Sequence, residues 1–272
     1  MSAVIGKIVT FSSLLLKRAL TLSSRSYSTK NTSFAITYEQ FGDPTKVLKG
    51  TELEENVVGD NQVGVKLLAA PVNHADINTI QGTYPNKPSS FPTVAGNEGV
   101  FEVTSVGKNV KSLQVGSWVL PATAGTGTWR TSHLYAEADL LEVPNDIGVV
   151  NATAFTANPK TAYRMLHDFE DLQRGDVVIQ NGANSAVGQA VIQIAKELGI
   201  QTINIVRERP NMDKIQEIVL KDMGATHVIT EEILNKQEGQ ALIKSLPKPK
   251  LALNCVGGKA AADLLKYLAN CG

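Results

Sequence analysis

An apolar run, Val177-Val178-Ile179-Gln180, leads into a small-residue loop from Asn181 to Gly188, then a helical stretch, then a second apolar run, Ile203-Asn204-Ile205-Val206. No other stretch of this chain restricts its fold as tightly. The helix is carried by Val187, Ala190, Val191, Ile194, Ala195 and Leu198, which recur on one apolar face. Strand, tight turn, helix and strand in succession make a parallel βαβ unit. Such a unit binds a dinucleotide by seating the pyrophosphate at the helix N-terminus, where free N–H groups and the dipole favour an anion. The end of the second strand then selects the cofactor. A carboxylate there holds the ribose 2′-hydroxyl of NAD, whereas arginines take the 2′-phosphate of NADP. Here Arg207 and Arg209 flank Glu208, which reads as NADP(H).

The loop departs from the strict Gly-x-Gly-x-x-Gly pattern. With Gly188 as the third glycine, Ser185 takes the second position and Ala183 the first. A serine hydroxyl can donate to a phosphate oxygen, which offsets part of the lost backbone approach. On the loop alone, an ordinary α/β turn beside a surface arginine pair reads equally well. The strand–helix–strand context and the placing of the arginines weigh towards the cofactor.

Upstream the rhythm is different. From Phe34 to Asn158, short apolar runs alternate with turn signals: Val63–Leu68, Gly99–Val103 and Trp118–Pro121, with Gly107-Lys108-Asn109 and Gln114-Val115-Gly116 between them. Regularly spaced short strands predict a β-rich domain. From Pro159 onward helix and strand alternate. A helix is predicted from Asn211 as N-cap to a stop at Gly224, with strands at Thr226–Ile229 and Lys250–Val256. The second part is therefore a doubly wound parallel sheet, of α/β class.

The 272 residues suit about two domains. A hydrophobic content of 43% with 19% charged residues describes a globular chain with a sizeable core. The net charge is zero, so bulk electrostatics gives no case for nucleic acid or an anionic membrane as partner. That balance hides an asymmetry. Before Glu39 there is no acid, only Lys7, Lys17, Arg18, Arg25 and Lys30 among many serines. Basic, hydroxylated and mildly amphipathic, residues 1–27 read as a mitochondrial transit peptide, with Arg25-Ser26-Tyr27-Ser28 as processing site. Its apolar stretch is too short to span a bilayer. Cys255 and Cys271 lack a C-x-x-C spacing and read as free thiols, Cys255 within an apolar strand.

A β-rich domain followed by a dinucleotide-binding domain is the layout of the medium-chain dehydrogenase/reductase superfamily. Many of its members hold a catalytic zinc through a Gly-His-Glu segment. This chain has Gly96-Asn97-Glu98-Gly99, and His74, His133, His167 and His227 lie without metal-ligand spacing. Metal is therefore not expected. Pro71–Asn78, Gln81-Gly82-Thr83-Tyr84, Gly96–Gly99, Gly127–Thr131, Asn158–Tyr163, Val206–Pro210 and Leu251–Gly258 resemble the mitochondrial trans-2-enoyl-thioester reductases, the enoyl-[acyl-carrier-protein] reductases of mitochondrial fatty acid synthesis. His74 departs from that pattern, where proline is common.

The resemblance implies a GroES-like catalytic domain over 28–158 and a Rossmann NADP-binding domain over 159–272. It implies NADPH-dependent reduction of a trans-2-enoyl thioester, on acyl carrier protein or CoA, in the mitochondrial matrix, without membrane insertion. Hydride goes to the β-carbon and a proton to the α-carbon. A phenol stays protonated near neutral pH and can release its proton to a forming enolate. The resemblance places that role on Tyr84; without it, Tyr84 reads as a loop residue resting on its neighbours. His74 is a weaker rival acid. NADPH contacts are implied at Asn158, at Asn184, Ser185, Ala186 and Val187, and at Arg207, Glu208 and Arg209; Asn158 could equally tie the crossover between domains.

Relatives continue past the position of Gly272, so the nucleotide-binding domain is expected to be incomplete and the strand near Lys250 an exposed edge. Full-length relatives are expected to form homodimers. Two other functions stay open: a non-catalytic form that binds NADPH or a partner, and a quinone or alkenal reductase of the same superfamily.

Overall fold

The computed structural model of the chain describes residues 32–208, 210 and 218–269. The expected transit peptide, Arg209, the N-cap Asn211 and Cys271 lie outside these residues.

The first unit holds β1 (Thr32–Tyr38), α1 (Pro44–Val47), β2 (Lys49–Glu54), β3 (Gln62–Ala69), α2 (His74–Ile80), β4 (Thr93–Val94), β5 (Val100–Val106), β6 (Trp118–Pro121), β7 (Ser132–Ala136) and β8 (Leu140–Val143). They form two antiparallel sheets, ordered β2-β1-β4 and β7-β3-β5-β6-β8. The larger sheet exists because β3 and β5 turn Val63, Val65, Phe101 and Val103 into a common core. Their pairing aligns Val63 with Val106 and Leu67 with Phe101, with register shifts at Gly64/Val65 and Leu67/Ala69. Such shifts bend a strand and help to close a barrel. The predicted strand Trp118–Pro121 coincides with β6.

Two short helices lead out of this unit, α3 (Val149–Thr153) and α4 (Asn158–His167). The second unit then contains β9 (Val177–Asn181), α5 (Ala186–Leu198), β10 (Gln201–Val206), β11 (His227–Thr230), α6 (Glu231–Leu234), α7 (Gln237–Lys244), β12 (Leu251–Leu253) and α8 (Gly258–Leu265). Its four strands are parallel and ordered β11-β10-β9-β12. Helices cover both faces. Val178, Leu251 and Leu253 pack with Ala162 of α4 and Val191 of α5, whereas Val177, Ile179, Ile203 and Ile205 pack towards α6, α7 and α8. A strand covered on both faces needs the unbroken apolar run seen at Val177–Ile179. The doubly wound parallel sheet expected from the sequence is the one observed.

The predicted strand over Lys250–Val256 is shorter, Leu251–Leu253. The Asn254 carboxamide oxygen accepts from the Val256 and Gly257 N–H groups, at 3.3 and 3.0 Å, and this side-chain turn replaces the ladder. Cys255 therefore leaves the sheet and is exposed, not packed within a strand. The described end of the predicted Asn211–Gly224 helix, Ile218–Asp222, is π-helical, and Gly224 follows at φ +82°.

Candidate active site

The loop after β9 is built by three residues with separate duties. Gly182 stands at φ +59° and its carbonyl accepts from the Ser185 N–H at 2.8 Å, closing a tight turn. The turn glycine is thus Gly182, one place before the Ala183 that the strict pattern selects. Ser185 caps α5, its Oγ accepting from the Gly188 N–H at 3.1 Å. Among the described residues no acceptor takes the Ser185 hydroxyl proton. Gly188 lets the helix lie against the strand: a Cβ there would stand 2.6 Å from the Ala183 carbonyl oxygen. Gln180, buried in β9, donates to the Gly188 carbonyl at 3.1 Å and to Asn204 Oδ1 at 2.7 Å, pinning the helix start to the sheet.

These positions open into a cleft of about 830 Å³ between the two units. Tyr84, Asn158, Ser185, Ala186 and Val187 all line it. Ala186 and Val187 begin α5, so their N–H groups have no acceptor within the helix and supply the partial positive end of its dipole. Asn184 stands half-buried beside this wall, its carbonyl accepting from Gln189 Nε2 at 3.0 Å. Arg207 and Glu208 follow the C-terminal end of β10, outside the cleft lining and exposed. The Arg207 side chain is 63% exposed, and its Nε lies 3.7 Å from Glu231. That loose surface pair leaves the guanidinium accessible to a phosphate.

Tyr84 belongs to the loop that ends α2. Gly82, at φ +75°, stops that helix against the Phe41 ring, which a Cβ would approach to 2.7 Å. The Tyr84 N–H then donates to the Asn78 carbonyl at 3.2 Å. No residue among those described hydrogen-bonds its hydroxyl, and Tyr84 lines the cleft. His74, at the start of α2, is exposed on the same cleft. Trp129 packs instead with Tyr38, Ile80 and Ala95, its Nε1 donating to the Pro71 carbonyl at 3.2 Å. It is partly buried against the core and does not line the cleft.

Two buried carboxylates, Asp76 (2% exposed) and Glu98 (4%), also line the cleft, and sequence reasoning missed both. Asp76 Oδ1 accepts from the Asn97 N–H and Nδ2 at 2.9 and 2.7 Å, and its Oδ2 from the Asn73 N–H at 2.7 Å. Burial nonetheless lifts the Asp76 carboxyl above its ordinary range, and Glu98 nearby adds to the effect. Asn97, where the zinc enzymes of this layout carry histidine, spends its amide on Asp76. Among the described residues no three His, Cys, Asp or Glu side chains gather as a metal site, and no helix is long and apolar enough to cross a membrane. The one hint in the sequence was an acid held between Gly96 and Gly99.

Residues 59–157 match the alcohol dehydrogenase GroES-like domain. Over 238 residues the chain is 53% identical to the human mitochondrial enoyl-[acyl-carrier-protein] reductase, covering 88% of this chain and 63% of that one. Against the Arabidopsis thaliana protein of the same name it is 43% identical over 280 residues, covering 100% of this chain and 74% of the relative. The chain belongs to the mitochondrial enoyl-[acyl-carrier-protein] reductase family. It spans less than two thirds of the length of the human member. Among solved structures, the family member Etr1p in complex with NADP and crotonyl-CoA superposes with a TM-score of 0.83 at 40% identity, covering 88% of this chain and 73% of that one. The family's zinc-free medium-chain reductase layout is thus the layout of this chain.

Proposed function

We propose that this chain reduces trans-2-enoyl thioesters, carried on acyl carrier protein or CoA, with NADPH, in the mitochondrial matrix and as one subunit of a homodimer. The observation that carries the reading is that Tyr84 and the free N-terminus of α5 line one cleft. A dinucleotide fits there. The Ala186 and Val187 N–H groups and the Ser185 hydroxyl would hold its pyrophosphate, Arg207 and Arg209 its 2′-phosphate, and Asn158 the end nearest the substrate. Asn184 and Glu208 would contribute the further coenzyme contacts that the family resemblance implies.

NADPH, when bound, supplies the hydride that adds to the β-carbon of the enoyl thioester. The rest falls to the protein. As the C–H bond forms at the β-carbon, the π-electron pair of the double bond moves to the α-carbon and the thioester oxygen. Tyr84 then delivers its phenolic proton to the α-carbon, which yields the saturated thioester, and the phenolate regains a proton from water. Tyr84 itself is half-buried among exposed neighbours, and the α5 N-terminus would hold the pyrophosphate that joins the two halves of the coenzyme.

The test is NADPH oxidation with crotonyl-CoA, in the parent and in Tyr84→Phe. The variant should lose about a hundredfold to ten-thousandfold in kcat while binding NADPH as before. Equal turnover in both would remove Tyr84 from the chemistry. Quinone reduction indifferent to Tyr84→Phe would establish a quinone reductase instead, and NADPH binding with no turnover a binding-only form.

A further inference from the structure

We propose that Glu98 is a positioning residue that latches the crossover between the two units and sets which face Asn158 offers to the cleft. This rests on the reading of the cleft as a dinucleotide and thioester site. Glu98 sits on the β-rich unit, yet its partners come from two other elements. Its Oε1 accepts from Thr156 Oγ1 at 2.6 Å and from the Ala157 N–H at 2.5 Å, at the mouth of α4. Its Oε2 accepts from Asn73 Nδ2 at 2.6 Å, just before α2. Asn73 Oδ1 in turn accepts from Asn158 Nδ2 at 3.4 Å.

The chain of bonds has a polarity. A carboxylate only accepts, so the Asn73 amide must turn its NH₂ towards Glu98 and its oxygen towards Asn158. That oxygen draws the Asn158 NH₂ inward and leaves the Asn158 carbonyl oxygen facing away from Asn73. Asn73 also ties to Asp76 of α2, the helix that runs on to the Tyr84 loop. One buried carboxylate therefore couples the wall that carries the acid to the segment that starts α4. A buried acceptor with three donors is costly to lose, because each donor would be left unpaired.

The polarity gives a test by transposition. Glu98→Gln presents an NH₂ to Asn73, forces that amide to flip, and sets its NH₂ against the NH₂ of Asn158. Asn73→Asp places two carboxylates face to face. In the double variant, the carboxylate now at position 73 accepts both from the amide now at position 98 and from Asn158, and the original order returns with carboxylate and amide exchanged. Each single variant should raise the NADPH dissociation constant about tenfold and lower kcat with crotonyl-CoA by about ten- to a hundredfold. The double variant should return to within about threefold of the parent in both. Amide exchange at Ala157, read without coenzyme or substrate, should speed up in Asn73→Asp and slow again in the double variant.

If the singles misfold, Thr156→Val and Thr156→Ser repeat the comparison: the first should weaken NADPH binding and the second should not. Single variants with parental NADPH affinity and kcat would overturn the latch. So would a double variant whose losses are the product of the singles. Should the parent fail to reduce crotonyl-CoA, the reductase reading falls, while NADPH affinity and Ala157 exchange still decide the latch.

Discussion

Gly188→Ala probes the coenzyme loop at its tightest point. The added methyl would stand 2.6 Å from the Ala183 carbonyl oxygen and 2.7 Å from its carbonyl carbon and Cα. All three are main-chain atoms of the strand–helix turn, so no rotamer change relieves the contact. Ordinary contact begins near 3.4 Å, and the start of α5 must back away by roughly 0.8 Å. Overpacking of this kind costs about 1–3 kcal/mol. The better helix propensity of alanine returns at most about 1 kcal/mol. A mid-range cost of about 2 kcal/mol less that return leaves a net loss of about 1 kcal/mol, which lowers Tm by about 2–4 °C for a chain of this size. The same shift takes the Ala186 and Val187 N–H groups out of hydrogen-bond range of a phosphate, which weakens NADPH binding by about 30-fold. At a coenzyme concentration 100 times the parent Kd, NADPH stabilises the parent by about 2.7 kcal/mol and the variant by only about 0.9 kcal/mol. Thermal melts with and without NADPH read both effects. A variant that melts with the parent, and gains as much from NADPH, would refute the close-packing argument.

Two further outcomes follow from charge. Arg207→Ala combined with Arg209→Ala should raise the Kd for NADPH at least about tenfold more than that for NADH, since only the former loses a charge-assisted contact; equal losses in fluorescence titrations would exclude the 2′-phosphate role. Burial, aided by Arg130, lowers His133 from its ordinary 6.5 to about 4, so the folded chain keeps it neutral. Its contribution is fully present above pH 6.5 and drains away as the pH falls towards 4, because the unfolded chain then binds a proton that the fold refuses. Urea midpoints between pH 7 and pH 4.5 should drop less steeply in His133→Phe than in the parent, and parallel profiles would contradict the assignment.

Local pattern carried much of this fold. The apolar spacing from Val187 to Leu198 and the short run at Trp118–Pro121 correspond to α5 and β6, since Ala190, Val191 and Ala195 are buried as the spacing describes and so are Val119 to Pro121. Leu198 is exposed, and Ile192 is buried off that face. Reading failed where a side chain overrode the pattern. Asn254 ended β12 early by capping Val256 and Gly257 itself, which put Cys255 in solvent. The pattern aligned Ala183 with its first glycine, whereas the residue at positive φ in the turn is Gly182, one place earlier. The proposed site residues at the α5 start and Tyr84 came from motif and resemblance, and they share one cleft. Asp76 and Glu98 escaped notice for a different reason. Apart from the Asn73 N–H beside Asp76, their carboxylate partners lie 21 to 59 residues distant in the chain, which no local period encodes.

The carboxamide of Asn181, at the tip of β9, donates to Asn254 Oδ1 at 2.7 Å and accepts from the Cys255 N–H at 2.8 Å. The strand that launches the phosphate loop thereby grips the turn beyond its neighbour β12. At the sheet's carboxyl end a single amide thus fastens the phosphate loop and the turn after β12 to each other. On the proposed reading, room for longer or bulkier acyl groups comes from the opposite shore of the cleft, where Gly82 stands against the Phe41 ring.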